Sequence, residues 1–280
     1  MKRTLSRIWK NVLLAFLACV WLVPILWLFV TSLSGYKGLN TYEFFPSEWT
    51  LDNYHQLFFR PDTACNFPAW FKNSLIIGIA CCIISTAFVV MVAYAMSCMR
   101  FKARKPIMSV AIILGMFPGV LSMIAVYFVL KLFGLTDSLI GLIIVYSAGS
   151  GLGYLICKGF FDTIPVSLRE AAKLEGASEF TIFSKVVIPL SKPIIVYTVI
   201  NSFLAPWMDF VMARLMIKSK DSADWTVAIG LYNLLGRSLI GDYFSVFCAG
   251  GVIVAIPISI LFVIMQKCYV EGVTGGAVKG

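Results

Sequence analysis

Charge is scarce in this 280-residue chain, where charged side chains make up 13% and hydrophobic side chains 60%. A soluble domain has about 25% charged and about 45–50% apolar residues. A soluble core cannot bury such an excess, so most of the surface must face lipid. The composition excludes a soluble globular enzyme, a disordered tail and a small disulfide scaffold.

Histidine is almost missing as well, because His55 is the one histidine in the chain. Six of the eight cysteines lie in or at the ends of apolar runs, so we interpret the cysteines as free thiols. A metal site at Cys81 and Cys82 would need further ligands that no nearby residue supplies. No G-x-x-x-x-G-K-[ST] phosphate loop occurs either. We therefore predict no metal, no cofactor and no ATP hydrolysis by this chain.

Long apolar runs are abundant, and six of them can cross a hydrocarbon core of about 30 Å, which takes about 20 helical residues. We predict an all-α polytopic membrane protein with six transmembrane helices. The spans are approximately 12–33, 73–99, 107–131, 138–157, 193–217 and 243–267. Each of Pro24, Pro118, Pro206 and Pro257 is expected to interrupt its helix, because proline removes a backbone donor.

The first run, Val12–Thr31, has 20 residues and follows a basic N-terminus. It is longer than the apolar segment of about 7–15 residues in a secretory signal, and no clear cleavage site follows. We predict an uncleaved first helix, with a cleaved signal peptide as the alternative.

Basic residues indicate the orientation, because Lys and Arg accumulate on the cytoplasmic side. If the six spans alternate, one side holds 15 bases and 5 acids, and the other holds 7 bases and 8 acids. Both termini are then cytoplasmic. The formal net charge of +9 is a topology signal, and no nucleic-acid partner is expected.

The first outer loop, residues 35–71, contains eleven aromatic residues. Aromatic rings favour the membrane interface. A packed loop that caps the bundle or lies against the outer leaflet is the preferred interpretation, and a ligand site is the alternative.

The cytoplasmic loop 158–192 is too charged to span a membrane. Pro165 favours a helix over 165–175, and Gly176 is a natural stop. Ser178 can cap a second helix that runs to about Val187, before Pro189. The loop therefore predicts a helix-turn-helix on the inner face.

The first of these helices carries a small apolar patch of Leu168, Ala171, Ala172 and Leu174 among balanced charges. An interfacial helix on lipid would have large apolar anchors and a strongly basic face. We therefore favour a cytoplasmic protein partner over a lipid surface.

Two charges, Asp209 and Arg214, lie inside the fifth span. Charges within a membrane are costly and tend to face a bundle interior or water. Asp209, with Trp207 and Asn201 nearby, could line a substrate pathway. Alternatively, Asp209 caps a broken helix after Pro206, which is the preferred interpretation.

The cytoplasmic loop resembles a known motif: Glu170-Ala171-Ala172, three residues, Gly176, nine residues, then Val186-x-Ile188-Pro189. The spacing is similar to the EAA loop of the membrane subunits of binding-protein-dependent ABC importers. The first outer loop, Thr50-Leu51-x-Asn53-Tyr54, and Trp207-Met208-Asp209-Phe210 resemble the carbohydrate branch. Met208 departs from the asparagine usual there. The end of the chain, 272–280, resembles the tail of maltose-type permeases.

The resemblance implies a single permease domain over 1–280, with coupling loop 158–192 and tail 268–280. It implies that Leu168, Glu170, Ala171, Ala172 and Gly176 couple the chain to a separate ATPase. It also implies that Thr274, Gly275 and Gly276 in the tail reach the ATPase pair.

The predicted function is half of the translocation pathway of an ATP-driven importer of maltodextrin-like sugars, in a bacterial cytoplasmic membrane. The implied partners are a second permease (a paralogue), an ATP-binding subunit dimer, an extracytoplasmic substrate-binding protein, the sugar and membrane lipid. A self-contained secondary transporter or channel is the alternative, although no internal repeat supports it.

Overall fold

The computed structural model describes residues 2–39, 43–59, 64–149 and 153–275. Within these residues the regular secondary structure is helical, apart from one β-bridge between Ser34 and Trp49. The all-α prediction is confirmed. In chain order the α-helices are α1 Lys2–Ser32, α2 Asp52–Phe59, α3 Phe67–Cys98, α4 Arg104–Gly115, α5 Gly119–Leu132, α6 Leu139–Gly149, α7 Gly153–Phe161, α8 Val166–Leu174, α9 Glu179–Ile182, α10 Ile188–Leu190, α11 Lys192–Met208, α12 Val211–Met216, α13 Val227–Leu234 and α14 Ile240–Gly275.

Three segments of the described chain are long and apolar enough to cross a membrane as single helices: Ile8–Ser32, Phe67–Cys98 and Ile240–Gln266. Three bent pairs pass the same test when taken together: Arg104–Gly115 with Gly119–Leu132, Leu139–Gly149 with Gly153–Phe161, and Glu179–Leu190 with Lys192–Met208. The described residues therefore provide three spans, or up to six if each bent pair is one span.

The four span prolines differ in their effect. Pro118 lies at a sharp break, where α4 and α5 meet at 106°. Glycines flank this break and lower its helix propensity further. The helices α1 and α14 continue through Pro24 and Pro257, so the predicted interruption at these two positions is wrong. The apolar surroundings of α1 and α14 maintain the helix on both sides of the proline. The helix α11 passes through Pro206 and ends two residues later, at Met208, so the fifth span is interrupted there.

The chain folds into two compact units: Met1–Pro68 with Gly230–Pro257, and Ala69–Ile229 with Ile258–Gly280. The single domain over 1–280 stays a prediction. In the first unit, the outer loop folds back on the end of α1, because the Asn53 amide donates to the carbonyls of Ser32 and Ser34 at 3.0 and 2.8 Å. The Tyr54 hydroxyl is 2.6 Å from Ser32 Oγ.

The aromatic side chains of the outer loop divide into two groups. Phe67 and Trp70 are fully buried, as expected for a packed loop. In contrast, Phe45, Trp49 and Phe59 are exposed. Tyr42 lies outside the described residues. The loop is therefore packed along only part of its length.

The core of the second unit joins α3 to loop 158–192. Its buried residues come from the last three turns of α3, from α7 and from the residues around α9. They are Val89, Val90, Ala93, Tyr94, Met96, Tyr154, Cys157, Phe161, Ile164, Ile182 and Val187. This cluster is the support on which α8 lies.

Candidate functional site

The helix α8 (Val166–Leu174) forms within the predicted range 165–175. Pro165 precedes it in an extended conformation, so the proline occupies the capping position rather than the first turn. The helix ends in a Schellman motif, in which Ala177 N–H donates to Ala172 O and Gly176 N–H to Lys173 O, both at 3.0 Å. Gly176 has φ +82°, the left-handed conformation that this motif requires.

Ser178 caps the second helix as predicted, because its hydroxyl accepts from Thr181 N–H at 3.2 Å. This helix does not stop before Pro189, however. It continues through a π-helical turn, Phe183–Val187, into α10. The π turn includes Lys185, whose carbonyl in a regular α-helix would clash with the Pro189 ring.

The two faces of α8 have different environments. Glu170 and Ala171 are exposed, and Leu168 and Leu174 are 45% and 91% exposed. Ala172 packs against the buried cluster instead. The prediction of the apolar patch is therefore wrong for Ala172, which faces the buried cluster, while Leu168, Ala171 and Leu174 face outward.

Charged side chains hold the inner face of α8 in place. Arg169 Nη1 donates to the carbonyl of Cys98, the last residue of α3, at 3.2 Å. Lys173 Nζ lies 2.5 Å from Glu179 Oε1, and the Tyr94 hydroxyl donates to Glu179 Oε2 at 2.7 Å. The hydrogen bonds from Lys173 and then Tyr94 lower the pKa of Glu179 below its ordinary value of 4.5.

A second carboxylate, Asp162, lies just before α8. It accepts from Ser97 Oγ at 2.6 Å and from Lys158 Nζ at 2.5 Å. Burial acts to raise the pKa of Asp162, but the hydrogen bonds from Lys158 and Ser97 outweigh burial and lower it. The loop is thus attached to α3 on both sides of α8.

The lowered pKa of Glu179 predicts a pH effect on this attachment. A carboxylate whose pKa is depressed in the folded state stabilises it above the unfolded pKa, and the stabilisation is lost as the pH falls through the folded pKa. We expect the amides of α8 and α9 to exchange hydrogen faster at about pH 4 than at about pH 6, once the rates are corrected for the intrinsic pH dependence of exchange. The groups facing the carboxylate are Lys173, Tyr94 and Arg169.

Glu179→Gln should reduce this pH response, because it removes one of the two titrating carboxylates. Glu175→Gln, at an exposed acid of the same loop, should leave the response unchanged. Equal responses in the wild type and in Glu179→Gln would contradict the assignment. The effect is modest, because the Glu179 side chain is 44% exposed.

A cavity of about 970 Å³ lies among the helices of the second unit. Its walls are mainly apolar, and its polar lining comes from Ser85, Ser122, Tyr146, Tyr197, Thr198, Asn201, Ser202 and Asp209. The cavity therefore contains two of the three predicted pathway residues, Asn201 and Asp209.

Asp209 both lines this cavity and caps a helix. It follows α11 in an extended conformation, and its Oδ1 accepts from Met212 N–H in the first turn of α12 at 3.0 Å. The capping interpretation is confirmed at this residue. Asn201 instead donates to the carbonyl of Tyr197, one turn earlier in α11, at 2.8 Å.

Trp207 lies outside the cavity. It is 4% exposed, and its ring packs against Phe71 and Phe203 at centroid distances of 5.3 and 5.8 Å. A Cβ atom at Gly78 would lie 2.9 Å from Trp207 Nε1. Trp207 therefore packs α11 against α3.

Arg214, the other charge of this segment, lies over the Trp225 ring, with Cζ 5.8 Å from the ring centroid. Such a position suits a cation–π contact, which stabilises an arginine near a membrane interface. Within the described residues no ion pair joins Arg214 to Asp209.

Residues 95–274 match the family described as "Binding-protein-dependent transport system inner membrane component". The chain belongs to this family of transport permeases. The galactooligosaccharides transport system permease protein GanQ of Bacillus subtilis (strain 168) is 32% identical over 280 residues, covering 100% of this chain and 98% of that protein. The maltodextrin transport system permease protein MdxG of the same organism is 30% identical, covering 99% and 98%.

The maltose/maltodextrin transport system permease protein MalG of Escherichia coli (strain K12) is 36% identical over 219 residues, covering 75% of this permease and 72% of that protein. The structure is similar to a crystal structure of a bacterial ABC transporter involved in the import of the acidic polysaccharide alginate. The TM-score is 0.77 at 22% identity, covering 94% of this chain and 96% of that chain. This likeness shows the fold alone.

Four residues of the permease that sequence reasoning missed hold or line these sites. Tyr94, Asp162 and Glu179 hold α8 on α3, and Tyr146 lines the cavity with its buried hydroxyl. A hydroxyl within an apolar run was the available signal for Tyr146. The partners of Tyr94 and Asp162 are 85 and 65 positions away, and sequence spacing cannot indicate such pairs.

The predicted tail residues lie at the end of α14, which extends to Gly275, beyond the apolar segment Ile240–Gln266. Thr274 and Gly275 belong to its last turn. Gly276 lies outside the described residues. The helical pattern continues past 267 because no proline follows, and the first glycine comes only at 272.

Proposed function

We propose that the chain is a permease subunit that forms half of the translocation pathway of an ATP-driven oligosaccharide importer. Support comes from relatives named for galactooligosaccharide and maltodextrin transport, similar over almost the whole chain. The second half is a paralogous permease, an extracytoplasmic binding protein delivers a maltodextrin-like sugar, and a dimer of ATP-binding subunits supplies the energy. The chain itself is non-catalytic.

The observation that carries the proposal is the exposed outer face of α8, at the residues that resemble the EAA motif. The inner face is held on α3, while Leu168, Ala171 and Leu174 point away from the protein. Glu170 is exposed beside them and lines a groove between α8 and the end of α3. A short helix with a small apolar face suits a groove on a protein partner. The outer face of α8 docks on the ATPase. Gly176 forms the turn that fixes the orientation of α8, and Ala172 packs α8 against the rest of the permease.

The proposed topology has six spans and cytoplasmic termini in a bacterial cytoplasmic membrane. The three single helices, the bent pairs α4–α5 and α6–α7, and α11 supply the spans. The excess of bases favours a cytoplasmic position for loop 158–192, which includes α8, α9 and α10. The end of α14, with Thr274 and Gly275, and the following Gly276 then lie on the ATPase side.

The cavity of the second unit is the proposed sugar pathway on this subunit. Its volume, about 970 Å³, suits a small oligosaccharide, and hydroxyl and amide groups such as those of Tyr146 and Asn201 can bind sugar hydroxyls. Trp207 does not line the cavity and packs α11 against α3 instead. Asp209 contributes a carboxylate to the lining while it caps α12.

Replacing Asp209 tests which of its two roles dominates. Asp209→Asn keeps an oxygen that can cap α12, so we expect normal substrate affinity and a normal melting temperature. Asp209→Ala loses the cap and should cost about 1 kcal/mol of stability, lowering the Tm of the purified complex by about 2–4 °C. A raised KM for sugar in Asp209→Asn, at unchanged Tm, would instead indicate a recognition role.

The whole proposal is tested by transport into proteoliposomes, using a panel of labelled oligosaccharides. Uptake should require this subunit, the second permease, the ATPase, the binding protein and ATP together. Purification through a tag on this chain should recover the ATPase and a second permease. Sugar uptake by this chain alone, without ATP, would contradict the proposal and favour a self-contained transporter.

A further inference from the structure

The cytoplasmic end of α3 is bonded to the coupling loop at three separate places, before, within and after α8. These bonds are Ser97 to Asp162, the Cys98 carbonyl to Arg169, and Tyr94 to Glu179. Each joins residues at least 65 positions apart. Because the bonds flank α8, they restrict its rotation as well as its distance from α3.

Packing strengthens the same contact. The Tyr94 ring meets the Phe183 ring edge-on, with centroids 4.9 Å apart, directly after α9. Ala172 of α8 also rests on the buried cluster that α3 contributes to. Burial of apolar surface and charged hydrogen bonds therefore act at one place, and α8 is attached to α3 as a unit.

The opposite end of α3 is also hydrogen-bonded, in this case to the segment between α12 and α13. Trp70 Nε1 donates to the carbonyl of Ser222 at 2.7 Å. The Asn73 amide donates to the carbonyls of Ala223 and Trp225 at 2.8 and 2.9 Å. Ser74 Oγ accepts from Val227 N–H at 2.9 Å.

Between these two attachments α3 is continuous. It has 32 residues, which corresponds to about 48 Å at 1.5 Å per residue. The neighbouring pair α4 and α5, in contrast, is bent by 106°. A continuous helix attached near both ends transmits a displacement along its length, whereas a bent pair can absorb it at the break.

We propose that α3 carries the movement of α8 to the outer segment 222–227, and that Tyr94 and Glu179 are positioning residues for this coupling. The inference rests on the proposed function, in which α8 docks on the ATPase. It assigns a role to residues that do not touch the ATPase or the sugar.

The test is the number of ATP molecules hydrolysed per sugar transported, measured on the complete complex in proteoliposomes. Tyr94→Phe removes only the hydroxyl and keeps the ring packing. Glu179→Gln removes the charge from a partly exposed side chain and should not affect folding. We expect each variant to raise the ATP-to-sugar ratio by about three- to tenfold, as for losing one charge-assisted hydrogen bond at a partly exposed site.

Tyr54→Phe is the matched control, because it removes a tyrosine hydroxyl bonded to Ser32 in the outer loop. Its ratio should stay at the wild-type value. The Tyr94→Phe, Glu179→Gln double variant should show less uncoupling than the sum of the two single variants, because both substitutions weaken the same hydrogen bond.

The outcomes separate the two hypotheses. An unchanged ratio in both Tyr94→Phe and Glu179→Gln, in a complex where Glu170→Lys abolishes transport, overturns the inference and leaves the proposed function intact. Normal transport by Glu170→Lys overturns both. If the Tyr94→Phe permease does not assemble into the complex, the ATP-to-sugar ratio of Glu179→Gln decides whether the inference holds.

Discussion

Replacing Glu170 by lysine is expected to abolish sugar transport while the permease stays in the membrane at its normal level. The carboxylate is exposed beside the outer face of α8, in the groove that it lines with Arg169 and Lys173, and within the described residues it forms no hydrogen bond or ion pair. A surface substitution of this kind changes the free energy of unfolding by about 0.5 kcal/mol or less. The loss must therefore arise in the complex.

The size of the effect follows from the docking role. Reversing one charge of a buried interfacial pair costs about 2–5 kcal/mol, and each 1.4 kcal/mol is about tenfold in affinity. The ATPase should therefore no longer co-purify at ordinary concentrations. Uptake into proteoliposomes and recovery of the ATPase on a tagged permease measure the two consequences.

Glu175→Lys is the matched control for Glu170→Lys. It makes the same charge reversal at an exposed acid of the same loop, just past the end of α8. We expect it to retain transport. Transport by Glu170→Lys at normal subunit levels would overturn the coupling role of α8.

The second large effect is expected for Gly176→Val, which should abolish transport by misdirecting α8. Gly176 has φ +82°, and a Cβ atom there would meet no atom within 4 Å. Crowding is thus excluded as a cause, and the cost is backbone strain of about 1–2 kcal/mol, larger for a β-branched residue. The Schellman motif would open, and the two helices of the loop would lose their relative orientation.

Two control variants distinguish a change in the orientation of α8 from a general loss of stability in Gly176→Val. Gly176→Asn should retain transport, because asparagine tolerates the left-handed conformation. Gly134→Val introduces similar strain at another open glycine, with φ +66°, in the turn after α5. Gly134→Val should lower the Tm and still couple ATP hydrolysis to transport. Equal loss of coupling in Gly134→Val and Gly176→Val would contradict the role of the turn.

Local patterns predicted the coupling loop well. A proline before α8, a glycine after it and a serine at the next cap act through their own backbone and the few residues around them. Pro189 was misjudged, because a π-helical turn relieves the clash that would have ended the helix. Pro24 and Pro257 were also misjudged, since long apolar helices continue through them.

The candidate sites were predicted less completely. Asp209 and Asn201 do line one cavity, but Trp207 does not line it and packs against Phe71 instead. Periodicity places a residue on one side of its helix and does not say which neighbouring helix lies there. Tyr94 and Glu179 could not be paired from sequence for the same reason.

The sequence by itself determined the membrane class, the helical architecture and the helix-turn-helix of loop 158–192, because hydrophobic length, caps and turn residues act over a few positions. Only the tertiary structure decided that Ala172 turns inward, that Trp207 packs α11 against α3, and that α3 holds α8. These features depend on contacts between side chains 65 or more residues apart or on different helices, and such contacts are decided by packing.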